Sequence, residues 1–317
     1  MVAKPKRVII DTDPGIDDAA AILMALGSPE LQVEALTTVF GNTPVKQCTI
    51  NALRILEAAH RAGIPVYEGV GKPYNGMAPA FAAHVHGNDG LGDVAWPHPS
   101  AVPQPQNAVV ELIDRVLASP GAVTVIALGR LTNLALALSV EPQLASAVQA
   151  IVVMGGAVMV PGNASPVASA NLWGDPEAAD IVYRSGAKVV QVGLDVCDRV
   201  EFSIEQQQHV WQRQSSASQL LEAVTGYLKS SYRQRGLLHH ADGVRYNDVP
   251  AMAYAIDPSL FTCRDLHVRI ETQGQLARGQ TIADVHGQTG EAPNATVALE
   301  VDAPRLTQLW MDRVASL

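Results

Sequence analysis

Short runs of β-branched and other apolar residues recur along the first two thirds of the chain. They are continuous rather than alternating, which is typical of strands that are buried on both faces of a sheet. We predict strands at residues 7–11, 33–40, 123–128, 150–156 and 188–194.

Helical periodicity falls between these runs. The predicted helices cover residues 17–26, 45–62, 108–118, 132–138 and 176–185. Strands that alternate with helices favour parallel βαβ units around one sheet. We therefore predict an α/β fold, with a mostly parallel central sheet flanked by helices, in a single domain that spans residues 1–317.

The last part of the chain has a different pattern. Three short β-rich runs at residues 266–272, 280–285 and 295–302 indicate a small C-terminal strand cluster, for which antiparallel pairing is one arrangement. A final helix is predicted at residues 304–316.

Two segments lack a sustained period. Residues 69–107 are rich in Gly and Pro, and residues 230–247 are polar. A long loop inside a compact domain usually serves as a lid or a binding loop, and ligands of open α/β sheets bind at the carboxyl ends of the strands. We predict that both segments are active-site loops.

Composition narrows the class of protein. Apolar residues make up 48%, and 22 Lys+Arg against 31 Asp+Glu give a net charge of -9, which argues against general nucleic-acid or membrane surfaces. The three cysteines are far apart, so a reducing compartment is expected. Asp11 stops the first apolar run, so we expect no signal peptide. No stretch of 18 apolar residues is free of charges or Gly/Pro breaks, so we expect no membrane span and predict a cytoplasmic protein.

Four aspartates follow or end the first predicted strand, in "VIIDTDPGIDD" (residues 8–18). Helix capping would explain Asp17 and Asp18. It would not explain Asp11 and Asp13 at the end of a buried strand, because desolvated carboxylates need a partner. A divalent cation is the economical partner, and all-oxygen ligands favour Ca²⁺ or Mg²⁺.

Two other acidic motifs fit less well. An EF-hand loop that starts at Asp11 would need Gly and Glu at the positions of Ile16 and Ile22. A haloacid dehalogenase-like phosphohydrolase usually has Thr or Val where this chain has Gly15. The late acidic stretch "GDPEAAD" also has the pattern of a helix start, with Pro176 in the first turn.

The order of the motifs resembles the inosine/uridine-type nucleoside hydrolase family. The signature is "DTDPGIDDAAAI", and it is supported in order by "VFGN", "HGNDGLGD", "GRLTNLALAL", "VVMGGAV", "GNASPVASANLWGDPEAA" and "YNDVPAMAYAIDPSLF". The resemblance covers nearly the whole chain. It implies hydrolysis of the N-glycosidic bond of a ribonucleoside, a bound Ca²⁺, and a homodimer or homotetramer.

The resemblance also implies roles for individual residues. Asp13 would be the general base. The implied metal ligands are Asp13, Asp18, Asp248 and the backbone carbonyl of Thr132. The implied substrate contacts are Asp17, Asn42, Asn171 and Asp248 at the ribose hydroxyls, Asn163 at the 5′ side, Met154 near the sugar and His86 on the lid. Each of Asn42, Thr132, Met154, Asp248 and His86 also has an ordinary structural role open to it, as a cap, a core residue or a loop residue.

The chain departs from the family pattern at two positions. Ser169 stands where a Glu commonly reaches the 5′-hydroxyl, so it would either bind the 5′-oxygen through a water molecule or leave room for a different 5′ group. Asn247 stands where a His often protonates the leaving base, and an amide cannot act as a general acid.

Two kinds of residue can replace that His. Either aromatic residues stack on the base, or one of His239 and His240 reaches it. The aromatic candidates are Trp96, Trp173, Tyr232 and Tyr246. A non-catalytic nucleoside-binding or ribose-binding relative is the alternative, although a binder has no need of the base Asp13.

Overall fold

The computed structural model describes residues 4–236, 238 and 242–317. Strands and helices alternate through most of this range. The strands are β1 (Lys6–Thr12), β2 (Leu31–Thr38), β3 (Val66–Glu68), β4 (Val123–Ala127), β5 (Ala150–Met154), β6 (Val189–Val192), β7 (Phe261–Leu266), β8 (Val268–Ile270), β9 (Thr281–Ala283) and β10 (Ala295–Val301).

Helices make up the layers on both sides of the sheet. They are α1 (Ile16–Leu26), α2 (Val45–Ala58), α3 (Ala83–His86), α4 (Ala108–Leu117), α5 (Thr132–Val140), α6 (Leu144–Ala147), α7 (Ala170–Gly174), α8 (Pro176–Arg184), α9 (Leu194–Cys197), α10 (Ile204–Trp211), α11 (Ser216–Gln234), α12 (Val249–Ile256) and α13 (Ala303–Val314). A 3₁₀ turn at Pro258–Leu260 follows α12.

Eight strands form the main sheet in the order β3-β2-β1-β4-β5-β6-β10-β7. All pairs are parallel except β10 with β7. The carboxyl ends of β1, β2, β4 and β5 therefore lie side by side at one edge. The segments that leave these strands meet there, where parallel sheets hold their ligands.

The sheet is buried on both faces. Along β1, Val8 and Ile10 belong to one apolar cluster and Ile9 belongs to the other. This explains the continuous apolar runs, because a strand covered by helices on both sides has no polar face. The α/β prediction is confirmed by this architecture.

The predicted strands and helices of the first two thirds are present, with ends that differ by a few residues. The small C-terminal cluster is only partly as predicted. β8 and β9 do form a separate antiparallel pair, but β10 pairs with β6 inside the main sheet. Sequence spacing could not show that β10 joins the main sheet, because β10 lies between β6 and β7 although a long connection separates it from both in the chain.

The two predicted loops also differ from each other. Residues 69–107 contain only α3, as expected of a long irregular segment. The second segment begins inside α11, which continues to Gln234. Among the described residues, no helix combines the length and the apolar character that crossing a bilayer requires.

Trp310 tests how the last helix supports the fold. Its ring is fully buried, lies 4.7 Å from the ring of Phe202 and 5.5 Å from that of Tyr246, and its Nε1 donates to the Ala20 carbonyl of α1. We expect Trp310→Ala to lower the free energy of unfolding by about 3–5 kcal/mol, since truncation leaves a cavity.

Guanidinium denaturation of the two proteins measures this loss. The matched control is Val102→Ala, at a side chain that is 76% exposed, for which we expect a change of no more than about 0.5 kcal/mol. Equal losses in both variants would contradict the role of Trp310.

Candidate active site

A cavity of about 580 Å³ opens at the carboxyl edge of the sheet. The segments after β1, β2, β4 and β5 line it, together with α3, the end of α11 and the start of α12. The predicted site residues in its lining are Asp13, Asp17, Asn42, His86, Met154, Asn163, Asn171, Asn247 and Asp248. The fold thus brings together residues that are up to 235 positions apart in the chain (248 minus 13).

Three buried carboxylates form the acidic centre of this cavity. One oxygen from each of Asp17, Asp18 and Asp248 lies within 4.8 Å of the others. The Asp18 and Asp248 side chains therefore face each other without an intervening basic residue in this set. Burial raises the pKa of Asp248 well above its usual value and that of Asp17 to about 6, and the neighbouring carboxylates raise the pKa of Asp248 further.

Two buried carboxylates this close repel each other when both are ionised, so a proton or a cation between them is needed to offset the repulsion. At neutral pH, a bound cation would keep both ionised, because positive charge favours the carboxylate form. The donor set contains only oxygen, which suits Ca²⁺ or Mg²⁺ better than zinc. The residues present therefore fit a hard divalent cation.

Asp13 lies beside this centre, but the protein itself holds one of its oxygens. Oδ2 accepts a hydrogen bond from the backbone N–H of Asn42 at 2.8 Å and one from Arg130 Nη1 at 3.2 Å. Burial, followed by the charge of Asp18, raises the pKa of Asp13 well above its usual value, while Arg130 and the Asn42 N–H oppose that rise. Oδ1 is the oxygen that remains for other chemistry.

Capping accounts for one of the aspartates only in part. Asp18 Oδ2 accepts from the Gly15 N–H at 2.9 Å, as in a capping box, but it also accepts from Asn42 Nδ2 at 3.0 Å. Its Oδ1 accepts from Thr12 Oγ1 at 2.5 Å. Asp248 is the N-cap residue of α12, yet its side chain makes no capping hydrogen bond. Its carboxylate is therefore available to the cavity.

His86 is fixed by the N-terminus of α1. Its Nδ1 accepts from the Ile16 N–H at 3.2 Å and lies 3.7 Å from Asp17 Oδ1. Burial lowers the pKa of His86 to about 4, so the ring is neutral at pH 7. With Nδ1 as the acceptor, the proton is assigned to Nε2.

Asn171, Asn163 and Met154 line the cavity next to the carboxyl ends of β4 and β5. Asn171 Nδ2 donates to the backbone carbonyls of Leu128 and, at 3.1 Å, of Met154. Asn163 Oδ1 accepts from the Ala170 N–H at 2.8 Å, which holds its side chain against the start of α7. These side chains are positioned by backbone groups, so the wall is preformed.

Two of the predicted contacts lie elsewhere. Thr132 is the first residue of α5, where its carbonyl enters the helix hydrogen bonds, and its hydroxyl donates to Asp175 Oδ2 at 2.6 Å. Ser169 is 1% exposed, and its Oγ accepts from the Gly156 N–H at 2.7 Å. Neither residue lines the cavity, whereas Leu128 and Arg130 after β4 do, and the Leu128 carbonyl accepts a hydrogen bond from the lining residue Asn171.

The predicted leaving-group side has one well-defined contact. Asn247 Nδ2 donates to the hydroxyl of Tyr232 at 3.0 Å, and both side chains line the cavity. Trp173 also lines it. Trp96 does not, and Tyr246 is buried in the core against Phe202. His239 and His240 lie outside the described residues.

Sequence reasoning missed Arg130 and Phe81, which both line the cavity. Arg130 follows β4 directly, so its position at the carboxyl edge of a predicted strand was a usable signal. Phe81 lies within a segment without periodicity, and nothing in its pattern indicates a contact.

Comparisons with known proteins agree with this geometry. Residues 8–308 match the model of a family described as inosine-uridine preferring nucleoside hydrolase. The probable uridine nucleosidase 2 of Arabidopsis thaliana is 40% identical over 317 residues, which cover 98% of this chain and 97% of the relative. The pyrimidine-specific ribonucleoside hydrolase RihA of Escherichia coli O81 (strain ED1a) is 36% identical, with 97% of each chain covered.

Solved structures give the same result. A plant nucleoside hydrolase, PpNRh1, superimposes with a TM-score of 0.93 at 38% identity and covers 98% of this chain and 99% of its own. A purine-preferring ribonucleoside hydrolase from Gardnerella vaginalis gives 0.92 at 32% identity, with 98% of both chains covered.

Gly41 tests whether the fold is built around the Asp13 carboxylate. A Cβ at this position would lie 1.7 Å from Asp13 Oδ2 and 2.1 Å from Arg130 Nη1. We expect Gly41→Ala to lower the free energy of unfolding by about 1–3 kcal/mol, because both buried groups must move.

Thermal and denaturant unfolding measure this loss, with Gly63→Ala as the matched control. A Cβ at Gly63 meets nothing within 4 Å, so we expect a change within about 0.5 kcal/mol. A Gly41→Ala protein as stable as the control would contradict the tight packing around Asp13.

Proposed function

The chain belongs to the inosine-uridine preferring nucleoside hydrolase family, and from this premise we propose that it is a calcium-dependent ribonucleoside hydrolase that uses Asp13 as its general base. The family hydrolyses N-glycosyl bonds of ribonucleosides, and this chain is an enzyme of that class. The calcium, the residue roles and the nucleoside are the parts that we propose.

One observation carries the proposal. The carboxylates of Asp17, Asp18 and Asp248 converge in a cavity beside a fourth carboxylate, Asp13, whose Oδ2 is the one oxygen that accepts hydrogen bonds from the described residues. Asp18 and Asp248 would hold the cation with Asp13, and the Leu128 carbonyl is a better-placed backbone ligand than that of Thr132. A bound Ca²⁺ supplies charge that favours deprotonation of a nearby water.

Asp13 would accept the proton of the attacking water through Oδ1. Because Oδ2 is fixed by two hydrogen bonds, the carboxylate keeps one orientation. Asp17, Asn42 and Asn171 would hold the ribose hydroxyls. Positive charge develops on the sugar in an oxocarbenium-like transition state, and clustered carboxylate and amide oxygens stabilise that charge.

The proposed base side of the cavity presents two neutral side chains, Asn247 and Tyr232. Asn247 donates to the Tyr232 oxygen, and no hydrogen bond between described residues takes up the hydroxyl proton of Tyr232. We assign that proton to a hydrogen bond with the leaving base. Trp173 and Phe81, which line the same cavity, would pack against the ring of the base.

Pyrimidine ribonucleosides are the first substrates to test, since the curated relatives are named as uridine nucleosidases and pyrimidine-specific hydrolases. A purine substrate stays a candidate, because the Gardnerella vaginalis protein is named as purine-preferring. The cytoplasmic location, the homodimer or homotetramer, and the absence of nucleic-acid or membrane partners stay predictions from the sequence.

The central test is release of free ribose from uridine, cytidine, inosine and adenosine, measured with and without a calcium chelator. We expect turnover that chelation abolishes and added Ca²⁺ restores. Asp13→Asn should lower kcat by about a hundredfold to ten-thousandfold, the usual contribution of a general base. Asp114→Asn, at a surface position on α4, is the control and should keep wild-type kcat.

The outcome separates the alternatives. Calcium-dependent stabilisation and nucleoside binding without any turnover would support the non-catalytic nucleoside-binding relative instead. Full activity in Asp13→Asn would remove Asp13 from the mechanism even if the wild type is a hydrolase.

Tyr232→Phe tests the hydrogen bond to the leaving base. We expect kcat with a natural nucleoside to fall about tenfold, the equivalent of one hydrogen bond in the transition state. A riboside with an acidic phenol as its leaving group needs no such help, so its kcat should stay close to that of the wild type. Equal losses with both substrates would instead assign Tyr232 a packing role.

A further inference from the structure

Arg130 is a buried cation inside the catalytic cavity. Only 5% of the residue is exposed, and its guanidinium lies 5.1 Å from the centre of the Phe40 ring. Nη1 donates to Asp13 Oδ2 at 3.2 Å, and Nη2 donates to the backbone carbonyl of Ala80 at 3.0 Å. One planar group therefore joins the proposed general base to the long segment at residues 69–107, which was predicted to be an active-site loop.

Residues 78–82 make few hydrogen bonds to distant parts of the described chain. Besides the Arg130 bond, one hydrogen bond joins this stretch to a distant part of the described chain, from the Ala82 N–H to the Asn42 carbonyl at 3.1 Å. Asn42 is also the residue whose own N–H binds Asp13 Oδ2. Both attachments of this stretch thus lead to the same carboxylate oxygen.

Phe81 lies between the two attachments and lines the cavity. If the stretch moved away, Phe81 would leave the cavity and Arg130 Nη2 would lose its acceptor in a buried site. The loss of a partner by a buried charged donor is unfavourable, so Arg130 favours the closed position of the stretch.

The surrounding chain makes room for this side chain. A Cβ at Gly174 would lie 2.0 Å from Arg130 Nε, and that Nε has no hydrogen-bond partner among the described residues. The backbone φ of Gly174 is not positive, so a side chain is excluded here by the nearby guanidinium and not by the backbone conformation. A buried guanidinium with one donor unmet persists only where its other contacts compensate.

We propose that Arg130 is a positioning residue that couples closure of residues 78–82 over the substrate to the orientation of Asp13. Its guanidinium holds Asp13 Oδ2 and the Ala80 carbonyl at once, parallel to the bridge that Asn42 makes. Asp13 then presents Oδ1 to the water when Phe81 is seated on the substrate. This inference rests on the proposed hydrolase function, in which Asp13 is the base.

Arg130→Lys is the first test. Lysine keeps the charge, but its single ammonium cannot replace a planar fork that reaches two acceptors. In the full chain with calcium present, we expect kcat to fall about tenfold to a hundredfold, the range for a lost hydrogen bond to a charged group. We also expect hydrogen exchange at the Ala82 amide to become about tenfold faster or more, while amides of β4 keep their rates.

The control is Arg115→Lys, in a network with Glu111 and Glu34 that does not line the cavity. It should leave both kcat and Ala82 exchange unchanged. Wild-type kcat and exchange in Arg130→Lys would overturn the proposal. Equal acceleration of exchange in β4 would also overturn it, because Arg130 would then act on global stability.

Gly174→Ala provides a second test that leaves Arg130 in place. The added methyl group must displace the guanidinium, so kcat and Ala82 exchange should change as in Arg130→Lys. In an Arg130→Ala background the same methyl group meets no guanidinium, and we expect it to have no further effect. Additive effects of the two substitutions would contradict the coupling.

Failure of this inference can be told from failure of the proposed function. Hydrogen exchange is measured without substrate, so it reports the coupling even if no nucleoside is cleaved. Ribose release by the wild type with unchanged exchange in Arg130→Lys would overturn the coupling and leave the hydrolase intact.

Discussion

The structure depends on burying several aspartates close together at the carboxyl edge of one parallel sheet. Asp11, Asp13, Asp17, Asp18 and Asp248 are each less than a tenth exposed. Burial disfavours the ionised form of a carboxylate, and like charges nearby disfavour it further. The loops around this edge are arranged so that each carboxylate has a different partner, and these partners decide what each one can do.

Asp11 illustrates a structural solution. Its Oδ1 accepts from Thr37 Oγ1 at 2.6 Å and from Asn133 Nδ2 at 2.8 Å, so it joins β1 to β2 and to α5. Burial still raises the pKa of Asp11 to about 6, because two neutral donors do not replace water in full. Asp13 has a cation, Arg130, as its partner, whereas Asp18 accepts hydrogen bonds from the neutral donors of Thr12, Gly15 and Asn42. The proposed cation site is thus the place where the described residues supply least positive charge.

The sequence predicted well those features that depend on residues close together in the chain. The run "VIIDTDPGIDD" predicts a buried strand, a turn and a helix start in order, which places the aspartates at the sheet edge, and the alternation of such strands with helices along the chain predicts the fold class. The cavity wall was harder to predict, because it depends on which backbone groups face inward. Ser169 is adjacent in the chain to Ala170, which lines the cavity, and Thr132 is two residues from Arg130, which also lines it, yet their hydroxyls bind the Gly156 N–H and Asp175. Arg130 was missed because a single arginine after a strand has no pattern until its three-dimensional partners are known.

In the proposed mechanism, the two sides of the substrate sugar differ in charge. The proposed water side holds the carboxylates, while the proposed base side has Asn247 and Tyr232, which are neutral and hydrogen-bonded to each other, and Arg235 and Arg245 lie elsewhere in the cavity lining. Burial and the nearby charges of Asp17 and Asp248 raise the pKa of Tyr232 far above its usual value, so its hydroxyl keeps its proton at neutral pH. Such a group donates a hydrogen bond well but transfers its proton poorly. The described base side is thus suited to stabilising the departing base by hydrogen bonding, with full protonation completed by water once the bond to ribose has broken.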